Sequence, residues 1–293
     1  MSILAFRDTQ VLIQGITGTQ ARHHTENMLA YGTRIVAGVR PGSGGEQVHG
    51  VPVYNSIEEA CRDHRIDASV LFIPAKGVKA AALEAMQNHI KLLVIVTEHV
   101  PLHDAMEIFE DARNRGVVIV GPNTPGMISP PEKAKLGFVP TMYFTPGPIG
   151  VASRSGTLTY ELVSRLTAAG LGQSTVIGVG GDRIVGLPFA DALRLFEKDP
   201  GTQAVLLIGE IGGAMEEEAA ALIARGEVRK PVFVYIAGST APEGQRIGHA
   251  GAIIGGTGGT VQGKIESLQK AGAQVGTTIA EVIERMKHTL GKK

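Results

Sequence analysis

The stretch VLIQGITGTQARHHTENMLAYG, residues 11–32, runs from a short apolar, β-branched segment across Gly15 and Gly18 into a helical pattern. It reads as strand, glycine turn, helix. Such a unit carries the chain back over the sheet, so the next strand lies parallel to the first. The same grammar recurs: short apolar runs at 34–39, 69–73, 92–96 and 117–120 alternate with helical patterns near 19–31, 57–64, 76–88 and 103–115. The expected class is α/β, a parallel sheet covered by helices on both faces.

A second series restarts after FTPGPIG, whose prolines and glycines make 145–148 the expected boundary. Strands are predicted at 149–153, 175–179, 204–209 and 232–237. Helices are predicted near 156–169, 188–198, 215–225, 260–271 and 278–290. A chain of 293 residues suits two cores. Two doubly wound domains are therefore expected, divided at 146/147, with ligands at the carboxyl ends of their strands.

Composition narrows the function classes. Lys+Arg and Asp+Glu are each 28, so neither a nucleic acid nor a membrane surface is an expected partner. The one cysteine, Cys61, excludes an intramolecular disulfide and reads as a structural thiol in a reducing compartment. No run of ~20 apolar residues is present, and MSILAFRDTQVLIQG enters a strand almost at once, without a leader pattern. A cytoplasmic location is expected. The 39 glycines cluster after apolar segments, where an alternating fold turns sharply or approaches a ligand.

The first turn, Gly15-x-x-Gly18-x-x-Ala21, sets helix amides toward a phosphate. It lacks the opening G-x-G of the dinucleotide fingerprint. The second strand also closes on Val39-Arg40-Pro41, without the carboxylate a NAD ribose needs. Arg40 suits the extra phosphate of NADP or, equally, the 3′-phosphate of coenzyme A; the second half favours the latter. Loops at 72–77 (FIPAKG) and 96–101 (VTEHVP) are compatible with plain turns. GPNTPG, at 121–126, forms a rigid loop that makes Asn123 available, and binding or a bare turn fits it equally.

In the second half, IGVASRSGTLTYELVSRL (149–166) places Ser153, Ser155, Gly156 and Thr157 at a helix start, suited to capping or to an anion. It has neither the P-loop lysine nor the G-x-S-x-G elbow. LLIGEIGG (206–213) ends a strand on Glu210, a carboxylate suited to holding an imidazole in one tautomer. RIGHAGAII (246–254) sets His249 between Gly248 and Ala250. No H-E-x-x-H is present, and Pro101 separates His99 from His103, so no metal site is expected. What remains is a nucleophilic histidine facing a helix N-terminus that holds a phosphoryl group. Small neighbours suit it, because donor and acceptor must both approach one nitrogen.

With SRSGTLTYE (153–161), GEIGG (209–213), EEEAA (216–220) and GHAGAII (248–254) in that order, the chain resembles the alpha-subunit family of succinyl-CoA synthetase. GVPVYNS (50–56) and GPNTPG extend the likeness through the first half. The resemblance implies a Rossmann-like CoA-binding domain over 1–146 and a flavodoxin-like ligase domain over 147–293. It implies a heteromeric acid–thiol ligase, αβ or α2β2, whose ATP-grasp beta chain binds ATP or GTP and Mg2+. Carboxylate, CoA and nucleoside triphosphate become acyl-CoA, nucleoside diphosphate and phosphate, reversibly, through an acyl phosphate. Succinate is the expected acid, with malate or another small dicarboxylate second. A CoA-sensing module and a nicotinamide-dependent dehydrogenase are rivals that the residues disfavour.

By position, the resemblance makes His249 the phosphohistidine and Glu210 its orienting partner. Ser153, Ser155, Gly156 and Thr157 become the phosphate cradle, and Tyr160 and Asn123 substrate contacts. Thr17, Gly18, Thr19 and Gln20 match the CoA turn, joined by Pro74 and by Val96, Thr97 and Glu98. Four departures stand out. Ser43 replaces a CoA-contacting lysine in RPGSGG (40–45), where Arg40 is placed to restore the charge. Ala21 and Thr124 replace a usual glycine and cysteine. Arg183 enters GGDRIVG (180–186), implying either an altered acid substrate or a solvated or beta-chain contact.

Overall fold

The computed structural model describes residues 2–238, 249–252 and 259–291. The first series runs β1 (Gln10–Gln14), α1 (Thr19–Tyr31), β2 (Arg34–Val39), β3 (Gln47–Val48), β4 (Val51–Tyr54), α2 (Ile57–Asp63), β5 (Ala68–Leu71), α3 (Val78–Gln87), β6 (Leu92–Ile95), α4 (Leu102–Arg115) and β7 (Val118–Val120). Its sheet has the order β3-β4-β2-β1-β5-β6-β7, parallel except where β3 meets β4. Without the short β3, this is the doubly wound dinucleotide-fold order.

The second series runs β8 (Gly126–Ser129), β9 (Ala134–Gly137), β10 (Pro146–Ser153), α5 (Gly156–Ala168), β11 (Gln173–Gly178), α6 (Phe189–Lys198), β12 (Ala204–Glu210), α7 (Met215–Ala224), β13 (Val232–Ala237), α8 (Val261–Lys270), β14 (Gln274–Gly276) and α9 (Ile279–Thr289). Its order is β14-β13-β12-β10-β11-β8-β9. The parallel part matches the flavodoxin-like arrangement, and the β8–β9 hairpin joins β11 antiparallel at one edge. That hairpin lies before 146, so sheet pairing changes between Val120 and Gly126, earlier than the Pro/Gly-rich stretch suggests. The prolines and glycines at 145–148 mark entry to β10 instead.

Strands β5, β6, β11 and β12 are buried at every position, as a parallel sheet sandwiched between helices requires. One apolar cluster takes in Ile13, Val94 and Val120 of the first sheet and Met127, Leu136 and Val205 of the second. The two halves thus share an interior. Among the described residues no helix is long and apolar enough to cross a membrane.

Each sheet winds in two directions from its first parallel strand, β1 or β10. The crevices at these switch points lie beyond the carboxyl ends of β1 and β5, and of β10 and β12. The Gly15 turn and the 72–77 loop border the first. The Ser153–Ser155 turn and Glu210 border the second.

Candidate active site

At the first crevice the backbone is the working surface. Gly15 has φ +77°, and a Cβ there would lie 2.4 Å from the Phe72 carbonyl oxygen, so only glycine fits. Gly18 caps α1 without a side-chain hydrogen bond. First-turn amides have no acceptor within their own helix, and the turn opens on a cleft of about 480 Å3 lined by Gly15, Thr17, Gly18, Arg40, Phe72 and Pro74, among others. Arg40 donates to Thr17 Oγ1 at 2.7 Å, which holds a cation across the turn. Thr19 and Gln20 are exposed as the first two residues of α1. Ser43 is placed differently: it is buried in the 40–46 turn, where its amide donates to Arg40 O, and it does not line the cleft.

Val96, Thr97 and Glu98 follow β6 just beyond this cleft. Thr97 Oγ1 donates to Ile73 O at 2.6 Å, and Thr97 O accepts from Asn123 N at 2.9 Å. Asn123 O accepts from Gly181 N at 3.1 Å, and Gly181 O from Gly251 N at 3.2 Å. This line of hydrogen bonds runs from the first crevice to the residues around His249. The GPNTPG loop carries it. Asn123, held at φ +58°, also donates through its side chain to Asp182 Oδ1 at 3.2 Å.

His249 Nδ1 donates to Glu210 Oε2 at 2.9 Å, and the imidazole side chain is 29% exposed. A Cβ on Gly181 would sit 2.6 Å from His249 Cγ. The glycine that admits the ring is thus 68 positions away from it in sequence. The flanking stretches 239–248 and 253–258, including Gly248 and most of the glycine-rich GAIIGGTGGT, lie outside the described residues. The Glu210 hydrogen bond raises the His249 pKa above its ordinary value, opposed by burial and by Arg154.

Behind Glu210 lies a buried charge network. Arg154 Nη2 is 3.2 Å from Glu210 Oε1, while Arg154 Nη1 donates to Gly212 O at 2.9 Å and Glu216 Oε1 at 3.1 Å. Glu216 also accepts from the Glu210 amide at 3.1 Å. Lys264 Nζ donates to Glu216, to Glu217 at 2.9 Å and to Gly213 O at 2.9 Å. Arg154, Glu216 and Lys264 are buried. Within such a network, each charge depends on the others because water is excluded.

The β10–α5 turn closes the other side. Ser155 is the α5 N-cap and accepts from Leu158 N at 3.4 Å. Ser153 is buried, donating to Ser155 O at 2.8 Å and accepting from Ser155 N at 3.1 Å; its hydroxyl shapes the turn. Gly156 and the exposed Thr157 begin the helix. Pro125 of the GPNTPG loop and the Tyr160 hydroxyl lie 3.6 and 3.9 Å from where a Gly156 Cβ would stand. Tyr160 stacks near Tyr143, and burial lifts its pKa to about 12.

Thus Asn123, Glu210, His249 and the start of α5 converge around the second crevice, with the CoA-type turn at the first. Sequence reasoning gave no role to Arg154, Gly181, Asp182, Glu216 or Lys264. Arg154 and Glu216 sit within SRSG and EEEAA, so a motif pointed at both; Lys264 shares the apolar face of α8 with Val261, Ile265 and Leu268, a spacing that could have marked it as buried. Among the described residues, no three His, Cys, Asp or Glu side chains gather as metal ligands would.

Residues 6–99 match the family model described as CoA binding domain, and residues 152–274 match CoA-ligase. The chain is 53% identical to the succinate–CoA ligase [ADP-forming] subunit alpha of Methanothermobacter thermautotrophicus, over 99% of this chain and 97% of that protein. It is 48% identical to a subunit of an ADP-forming sulfoacetate-CoA ligase from Acholeplasma, over 94% of each. Among solved structures it resembles the ATP citrate lyase of Methanothrix soehngenii in complex with citrate and coenzyme A. That match has a TM-score of 0.88 at 22% identity and covers 99% of this chain but 52% of that one, so this chain spans about half its length.

Proposed function

The chain belongs to the succinate–CoA ligase alpha-subunit family, and from that premise we propose that His249 carries a phosphoryl group between a nucleoside triphosphate and a small carboxylic acid on the way to an acyl-CoA. The observation that carries this reading is the Glu210–His249 pair at the second switch point, tethered by hydrogen bonds to the cleft at the first.

With Nδ1–H donated to Glu210, the nucleophilic lone pair is that of Nε2. Nε2 takes the phosphoryl group, and Glu210 offsets the positive charge that develops on the ring. The amides of Gly156 and Thr157, with Ser155 at the cap, face the phosphoryl oxygens and the α5 dipole favours them. Ser153 braces that turn. A carboxylate oxygen of the acid then attacks phosphorus, giving an acyl phosphate and restoring the imidazole, with Asn123 and Tyr160 bordering the acid. Finally the CoA thiol attacks the acyl carbon and phosphate departs. CoA lies with its phosphates at Thr17, Gly18, Thr19, Gln20 and Arg40, running past Pro74 toward Val96, Thr97 and Glu98. Ser43, buried, supports the turn that presents Arg40.

ATP or GTP and its Mg2+ are assigned to an ATP-grasp beta subunit, in an αβ or α2β2 assembly in the cytoplasm. Succinate is the acid. Arg183 and the sulfoacetate-CoA ligase relative favour a second reading, another small acid with two negative groups, such as malate. The test is to incubate the chain with its beta partner, Mg2+ and labelled nucleoside triphosphate. Acid-labile, base-stable label should appear on this chain, and none on His249→Asn. A label that survives that substitution overturns the assignment.

A further inference from the structure

Two carboxylates flank His249, and their surroundings are opposite. Glu210 faces the Arg154 guanidinium at 3.2 Å and holds His249 Nδ1 at 2.9 Å, so both its oxygens are engaged. Asp182 is as deeply placed, at 7% exposure, yet it takes part in none of the ion pairs among the described residues. Among the described residues, its side chain accepts one hydrogen bond, from the neutral side chain of Asn123. The groups that face it are Asn123, Glu98 and His99 from the loop after β6, and His249.

Placement adds to this contrast. Asp182 follows Gly181, where the line of hydrogen bonds from the CoA cleft reaches the His249 loop. With His99, Arg183 and Ala250 it lines a cavity of about 170 Å3, whose other walls include Val100 and Ile184. The wall around the Asp182 carboxylate combines apolar side chains with His99 and Arg183, and a carboxylate withdrawn from water holds a proton more readily. Burial accordingly raises the Asp182 pKa.

The chemistry leaves one proton unassigned. A free thiol titrates near ~8.5, and only the thiolate attacks well. Glu210 is committed to the imidazole. We propose, building on the phosphohistidine reading, that Asp182 is the base that takes the thiol proton as CoA attacks the acyl phosphate. The S–H bond breaks and its proton passes to the Asp182 carboxylate. The sulfur electron pair forms the S–C bond, and the acyl C–O bond breaks with its electrons leaving on phosphate. Asp182 then returns the proton to solvent. In reverse, protonated Asp182 protonates the departing thiolate when phosphate attacks the thioester.

The test is Asp182→Asn in the assembled enzyme, read as partial reactions. Labelling of His249, and trapping of the acyl phosphate by hydroxylamine without CoA, should stay within about threefold of the unsubstituted enzyme. CoA-dependent thioester formation should fall about 10²–10⁴-fold, the range for loss of a general base. In the unsubstituted enzyme the CoA step should rise with pH through a group above the ordinary aspartate range. Asp182→Asn should lose that inflection while that of His249 persists. Asn keeps the acceptor for Asn123, and Asp182→Ser serves as a second variant if Asn fails to fold. Thioester formation at the original rate overturns the proposal, as does an equal fall of labelling and thioester formation, which marks a structural role. If the unsubstituted enzyme itself never labels His249, the failure belongs to the phosphohistidine reading instead.

Discussion

At the first switch point the chain turns on bare backbone: Gly15 at φ +77°, an uncapped helix start at Gly18, and one cation, Arg40, resting on Thr17 at the surface. At the second, the equivalent turn is Ser153-Arg154-Ser155. Its arginine points inward, into a network with Glu210, Glu216 and Lys264. One topology gives two helix starts, each at a switch point. The difference lies in what must stay fixed. A large ligand that comes and goes is served by exposed amides and a screened surface charge. A covalent transfer needs a nucleophile held in one geometry, and buried, mutually compensating charges hold it.

The strongest way to break this contrast is to remove one arginine from each turn. Arg154→Met takes the guanidinium from buried Glu210 and leaves Glu216 with Lys264 alone, and should cost about 3–5 kcal/mol of stability, read by denaturant unfolding. Arg40→Met, at a surface position, should change stability by no more than about 0.5 kcal/mol. It should weaken CoA by roughly 10–100-fold, the loss of one charge-assisted contact, measured by calorimetry. Equal stability losses at both sites would show that the second turn is not the charge-locked one.

The glycines sharpen the same comparison. Gly15→Ala must place a Cβ against Phe72 O from a left-handed backbone, so a loss of about 1–3 kcal/mol is expected, together with lost CoA binding. Gly156→Ala meets nothing closer than 3.6 Å and should leave the melting temperature nearly unchanged. A melting temperature that falls alike for both would show that the first turn has no special need of glycine.

The smallest effect is a pH shift. His249 must be neutral to attack, and its pKa is raised chiefly by Glu210, so its labelling rate should climb with pH through an inflection above 6.5. Glu210→Gln removes the main raising partner and leaves burial and Arg154, both lowering, against the weaker raising effect of Asp182, so the inflection should move down. An inflection that stays in place would detach Glu210 from the imidazole. The same linkage gives a stability sign. The contribution of the Glu210–His249 pair is fully present below 6.5 and is lost as pH rises through the raised value.

Much of this architecture was legible because parallel strands are long apolar runs and their crossovers are periodic helices. The elements that escaped are those whose pairing is not local. β3 spans only Gln47–Val48, and β14 only Gln274–Gly276. The β8–β9 hairpin follows a Pro/Gly-rich loop that reads as a binding loop or a bare turn, and only its edge pairing with β11 assigns it to the second sheet. In the site, the motifs brought out His249, Glu210 and the α5 start. Gly181 gave no signal, because the ring that needs its missing Cβ arrives from residue 249.

The sequence by itself determined the winding of the two sheets, the turns at their switch points and the residue types able to carry a phosphoryl group, since each depends on neighbours a few positions away. Only the tertiary structure decided which charges face one another: Arg154 against Glu210 and Glu216, Lys264 behind them, and Asp182, among the described residues, outside every ion pair. A charge in a water-poor interior is governed by distance through space, and residues 154, 182, 210 and 264 become neighbours only once the second sheet has closed.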